Sequence, residues 1–80
     1  MSADLSLVIP FYNEEENVSE VIAEARAAVP GAEIIAVDDG SRDRTPALLD
    51  AEKGVRVIHF PKNLGQGPAL YAGLLACTRP

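Results

Sequence analysis

Three short apolar runs punctuate the chain: Leu5-Ser6-Leu7-Val8-Ile9, stopped by Pro10; Ala32-Glu33-Ile34-Ile35-Ala36-Val37; and Val55-Arg56-Val57-Ile58-His59-Phe60. Each has β-prone composition and is followed by turn-forming residues, so three strands are predicted. Between the first two, Val18, Val21, Ile22, Ala25 and Val29 recur at the spacing that gathers side chains on one face of a helix, which predicts an amphipathic helix from Glu15 to Val29. At its amino end Asn13 is placed to cap, and Glu16, three residues on, to reach back as in a capping box. The acids Glu14, Glu15 and Glu16 also suit the positive end of the helix dipole, and Pro30-Gly31 ends the helix. A second helix opens at Thr45-Pro46, a capping Thr followed by Pro at the first helical position, and runs to about Lys53 before Gly54. A third, from Pro68 to about Thr78, carries Ala69, Leu70, Gly73, Leu74 and Cys77 on overlapping apolar faces.

Strands alternating with helices at this spacing imply right-handed crossovers and a parallel sheet, so the expected fold class is α/β. Residues 1–80 read as a single unit, without repeat, linker or low-complexity tract. In such sheets ligands sit outside the carboxyl ends of the strands. The strand-exit loops read Pro10-Phe11-Tyr12-Asn13-Glu14, Asp38-Asp39-Gly40-Ser41-Arg42-Asp43 and Pro61-Lys62-Asn63-Leu64-Gly65-Gln66-Gly67, and they are the most polar, turn-rich parts of the chain.

Composition changes this picture in three ways. With 48% hydrophobic and 24% charged residues the chain is an ordinary globular sequence, but 80 residues bury a limited core and its stability is expected to be marginal. Seven basic against twelve acidic residues leave a net charge of −5, which argues against a nucleic-acid surface; a phosphate-bearing ligand then needs a bound cation or a helix amino end. The lone Cys77 cannot form an internal disulfide and reads as buried filler. The start, Met1-Ser2-Ala3-Asp4-Leu5, lacks a basic region followed by a long apolar run, and no stretch approaches a bilayer span. A cytoplasmic location is expected, or the cytoplasmic face of a membrane in the full-length protein.

Successive side chains on a strand point to opposite faces, so of Asp38 and Asp39 one can face a ligand while the other holds the loop. A carboxylate there can accept hydrogen bonds from the N–H edge of uracil or guanine, or the pair can cap the turn at Gly40-Ser41. Asp43 reads as a turn or helix-start residue. Capping accounts for Glu15 and Glu16, which leaves Glu14, nearest the strand exit, as the acid with a ligand role. Gly65-Gln66-Gly67 permits backbone approach to a phosphate at a helix amino end, or serves only a tight turn; it matches neither the phosphate loop nor the dinucleotide fingerprint. His59 has no second His or Cys at ligand spacing and reads as structural. Tyr12 can stack on a base or cover the loop.

Taken together, Val8-Ile9-Pro10-Phe11-Tyr12-Asn13-Glu14-Glu15, then Ile34 to Thr45, then Asn63-Leu64-Gly65-Gln66-Gly67-Pro68-Ala69 resemble the opening of family-two glycosyltransferases with the GT-A fold. Within that family, Asn13-Glu14-Glu15-Glu16-Asn17 is similar to enzymes that move a sugar from a nucleotide diphosphate to a polyprenyl phosphate, a step in cell-envelope glycan synthesis. The resemblance implies a Rossmann-like sheet with strands in the order third, second, first. It implies that Pro10, Tyr12, Glu14, Asp38, Asp39 and Gly40 form the nucleotide site, Asp39 being the first choice for the base, with a UDP- or GDP-linked sugar as partner. Gln66 departs from the Lys or Arg common at its position, which removes a diphosphate contact. The family's Asp-x-Asp motif for magnesium or manganese and its catalytic base are absent before Pro80, so no catalytic or metal-binding residue is assigned here and the expected role is recognition only. A second reading is a non-catalytic fragment that binds nucleotide or serves as an interaction surface. The first strand is expected to be an open edge that invites self-association.

Overall fold

The computed structural model describes residues 5–78. The reading of Met1–Asp4 as free of a leader falls outside the described residues. The elements follow the order β1 (Ser6–Phe11), α1 (Val18–Ala28), β2 (Glu33–Asp38), α2 (Thr45–Asp50), β3 (Val55–His59) and α3 (Gln66–Ala76). All strands are parallel in one sheet of order β1-β2-β3, the expected order read from the opposite edge. The register runs Ser6↔Glu33 to Phe11↔Asp38 on one side of β2 and Ile34↔Val55 to Asp38↔His59 on the other. The fold class is thus the α/β, Rossmann-like arrangement that the alternation of elements implies.

Alternation along β2 divides the core in two. Ile34 and Ala36 pack with Phe11, Val18, Ile22 and Leu49 on the face covered by α1 and α2. Ile35 and Val37 pack with Ala69 on the face covered by α3. Every residue of β2 from Ile34 to Asp38 is buried, as expected of a central parallel strand covered on both sides.

Several boundaries differ from the expectation for identifiable reasons. Pro10 does not stop β1; it lies within the strand opposite Val37, which an edge strand tolerates because one row of its backbone groups needs no ladder partner. α1 begins three residues later than predicted. Asn13 adopts a positive φ of 51° and its side chain reaches another loop, so it does not cap, and the capping box with Glu16 does not form. Instead the amide of Asn17 donates to the Glu14 carbonyl in a turn before the helix. Thr45 begins α2 and is not its side-chain cap; the Asp43 carboxylate accepts from the Thr45 amide, and α2 ends at Asp50, short of Lys53.

The third helix departs most from its pattern. It begins at Gln66, two residues before Pro68, and ends at Ala76, so Cys77 stands outside it in extended conformation, half-buried, with its thiol donating to the Gly73 carbonyl. Only Ala69 and Gly73 of the predicted apolar face are buried; Leu70 and Leu74 are exposed with Tyr71 and Leu75. The reason is close approach: a β-carbon on Gly73 would overlap the Val8 side chain, so the helix meets the sheet through its smallest residues and the leucines flank that contact.

Candidate functional site

The parallel sheet delivers all three strand-exit loops to one end of the molecule. The first two are stitched together by hydrogen bonds across nearly thirty residues of sequence. The Asn13 amide donates to Ser41 Oγ (3.0 Å), the Glu14 amide to Thr45 Oγ1 (2.8 Å) and the Glu15 amide to Asp43 Oδ2 (3.2 Å). In return the Arg42 amide donates to Asn13 Oδ1 (2.8 Å) and the Arg44 amide to Glu15 Oε1 (2.9 Å). Thr45 is fully buried, so its hydroxyl is a fixed acceptor for the first loop. Burial pushes the Asp43 carboxyl up, but hydrogen bonds from the hydroxyl and amide of Thr45 and from the Glu15 amide outweigh it and hold the group below the ordinary carboxylate range.

Asp38 and Asp39 are 2% and 4% exposed, and alternation sends them to opposite sides of the sheet. Asp38 continues the face of Ile34 and Ala36. Its Oδ1 accepts from the Ser41 amide (3.0 Å), closing the turn at Gly40-Ser41, and its Oδ2 lies 2.9 Å from His59 Nδ1. Asp39 continues the face of Ile35 and Val37. Its Oδ1 accepts from the Leu64 amide (2.8 Å), and its Oδ2 from the Gly65 amide (3.0 Å) and Asn63 Nδ2 (2.9 Å). A carboxylate offers about four lone-pair sites, so Asp39 retains capacity for one further donor.

Gly40 is what lets these loops meet. At φ +72° a β-carbon would collide with the Lys62 and Asn63 backbone, so only glycine allows the second and third loops to touch at this point. Gly65 also needs its left-handed conformation, φ +97°, to enter α3, whereas the space beside Gly67 is open. Tyr12 is exposed and Pro10 half-buried. Glu14 is exposed and accepts from Asn17 Nδ2 (3.0 Å).

An open depression of about 550 Å³ is lined by Asn13, Glu14, Glu15, Glu16, Asn17 and Asp43. It includes Glu14 but not Pro10, Tyr12, Asp38, Asp39 or Gly40, so the sequence-predicted residues do not line this depression together. Its four carboxylates repel a diphosphate. Asp38 and Asp39 do not fit a metal clamp either, because their side chains diverge and both carboxylates are already engaged by protein donors. Among the described residues no three His, Cys, Asp or Glu side chains gather with metal-site geometry.

The sequence did not give three of these roles: Ser41 and Thr45 as acceptors for the first loop, and Asn63 as a donor to Asp39. It placed His59 in a structural role without its partners. Strand parity could have found that pair, since both side chains sit one step beyond the apolar residues of the same sheet face.

A family profile described as Glycosyl transferase family 2 matches residues 6–80. The chain is 42% identical over 82 residues to the undecaprenyl-phosphate 4-deoxy-4-formamido-L-arabinose transferase of Pseudomonas fluorescens, an alignment covering 91% of this chain and 24% of that protein. It is 38% identical over 84 residues to the dodecaprenyl-phosphate galacturonate synthase of Rhizobium johnstonii, again covering 91% of this chain and 24% of that protein. The chain therefore spans about a quarter of the length of these curated relatives. Because the matched residues take in every strand, every helix and all three loops, the chain belongs to glycosyl transferase family 2.

Proposed function

We propose that this chain is the nucleotide-recognition part of a glycosyltransferase that moves a sugar from a nucleotide-diphosphate donor to a polyprenyl phosphate. The observation that carries the reading is the rim itself: Asp39 is buried at the exit of the central strand, held by the third loop, with one acceptor position unspent beside loops already locked together. Preorganised acceptors at the carboxyl end of a parallel sheet suit the N–H edge of a base, since little ordering remains to be done on binding. Tyr12 and Pro10 supply the apolar surface, and Glu14 and Gly40 complete the site. The acceptor class comes from the relatives, whose names specify undecaprenyl and dodecaprenyl phosphates. Magnesium or manganese belongs to the complete enzyme and is not assigned to these residues.

No helix among the described residues is long and apolar enough to cross a membrane. We place the protein at the cytoplasmic face, where a nucleotide sugar and a lipid phosphate can meet. Among the described residues no strand lies beside the outer edge of β1, so the isolated chain is expected to self-associate there; sedimentation across a concentration series measures it.

The test is calorimetric titration with uridine and guanosine diphosphates, with and without manganese, alongside Asp39→Ala and the milder Asp39→Asn. Saturable binding of one diphosphate without metal, lost in both variants while circular dichroism shows them folded, is the expected result. Absence of binding by the folded wild-type chain overturns the reading for this segment.

A further inference from the structure

The nucleotide reading leaves His59 unused, yet this residue is bonded to two carboxylates. It ends β3 directly beside Asp38 in register, with Nδ1 2.9 Å from Asp38 Oδ2 and Nε2 2.8 Å from Asp50 Oδ1 at the end of α2. The Asp38 side chain is 3% exposed, that of His59 38% and that of Asp50 61%. Ionised carboxylates only accept, so both contacts are hydrogen bonds only while the ring carries both protons. The Asp38 hydrogen bond raises the imidazole pKa, partial burial opposes it, and the hydrogen bond and charge of Asp50 add to the rise. Among the described residues, the charged groups facing the ring are Asp38 from β2 and Asp50 from α2; Arg56, on the same strand, points to the other face by parity.

When the ring loses a proton, one carboxylate must face a bare nitrogen. Asp50 can turn to water, whereas the buried Asp38 oxygen cannot, and an unpaired buried acceptor is the costlier outcome. The remaining proton therefore stays on Nδ1. From Asp38 a line of hydrogen bonds continues to the site: Asp38 Oδ1 holds the Ser41 amide, and Ser41 Oγ holds the Asn13 amide between Tyr12 and Glu14.

We propose that His59 is a positioning residue for the nucleotide rim: its Nδ1–H holds Asp38, and through it Ser41 and Asn13, in both protonation states, while the imidazolium adds a brace to α2 at Asp50. The binding arm of the test rests on the nucleotide reading, and the spectroscopic arms do not.

The experiment is nitrogen-15 NMR of the chain through the imidazole titration, with Asp50→Asn, His59→Ala and His59→Asn, the last of which sets an amide nitrogen near the position of Nδ1. Expected are an Nδ1-protonated neutral ring, a lower titration midpoint in Asp50→Asn with the Ser41 and Asn13 amides in place, displacement of those amides in His59→Ala and their return in His59→Asn. Binding of uridine or guanosine diphosphate should weaken about tenfold in His59→Ala and stay within about twofold in His59→Asn. A neutral ring protonated on Nε2, or unmoved Ser41 and Asn13 amides in His59→Ala, overturns the proposal. Should His59→Ala fail to fold, the wild-type tautomer and the amide positions in His59→Asn decide it. If the wild-type chain binds neither diphosphate while the spectroscopic arms come out as expected, the nucleotide reading fails and the brace stands.

Discussion

The two faces of the sheet are held by different means. On one, α1 and α2 cover the strands with large aliphatic side chains, and Ile22, Val18 and Leu49 are completely enclosed. On the other, α3 lies on small residues, Ala69 and Gly73, and leaves Leu75 70% exposed. What helps to anchor the α3 side is polar. Glu33 at the start of β2 accepts from the Thr78 amide and hydroxyl and from Ser6, and Arg56 bridges Glu33 to the Ala76 carbonyl. One face thus rests mainly on large aliphatic side chains, with the His59 brace at its rim, and the other adds to a smaller apolar cluster a carboxylate clasp that responds to acid.

The contrast can be broken at graded cost. Gly40→Ala attacks the point where the second and third loops, one anchored on each face, come together; backbone strain and overlap with the Lys62–Asn63 backbone should together remove about 4 kcal/mol, read by urea denaturation. Leu49→Ala, on the aliphatic face, should cost about 3 kcal/mol in the same assay, because a fully buried leucine leaves a cavity its neighbours only partly fill.

The clasp is tested by pH. The Glu33 carboxyl is lowered from its ordinary 4.5 to about 2, first by the Thr78 amide and hydroxyl, then by Ser6 and Arg56, against opposing desolvation. A depressed folded pKa means stabilisation that is complete above about 4.5 and lost as pH falls toward 2. Thermal melts of wild type should fall through that window, and Glu33→Gln should flatten this part of the profile. Smallest of all, Leu74→Ala on the outer side of α3 should change stability by less than about 0.5 kcal/mol. A larger loss would mean that α3 holds its face by leucine packing after all.

The same two faces show how far the sequence could be read. The strands, the α1 stripe and the divergence of Asp38 from Asp39 all follow from periods of two and three to four residues. Those periods held only in part on α3, where Ala69 and Gly73 meet the sheet as the pattern implies but Leu70 and Leu74, which fit the same pattern, do not. Hydrophobic spacing records which side chains avoid water, not which of them a closely approaching backbone has room for. Nor could it assign Asn13, a sound local cap whose side-chain oxygen accepts instead from the Arg42 amide. Local and long-range bonds compete for the same side chain, and only the folded chain resolves the competition.

By itself, then, the sequence determined the alternation of strands and helices, the parallel sheet and the end of it where polar loops gather, because these rest on local periodicity and on the handedness of the chain. Tertiary structure alone decided which donors each carboxylate meets. Asp38 is joined to His59 across the strands, Asp39 to Asn63, Leu64 and Gly65 across the loops, and Glu33 to Thr78 at the amino end of the central strand. Those partners stand 21 to 45 residues apart in the chain, and no local rule of spacing reaches that far.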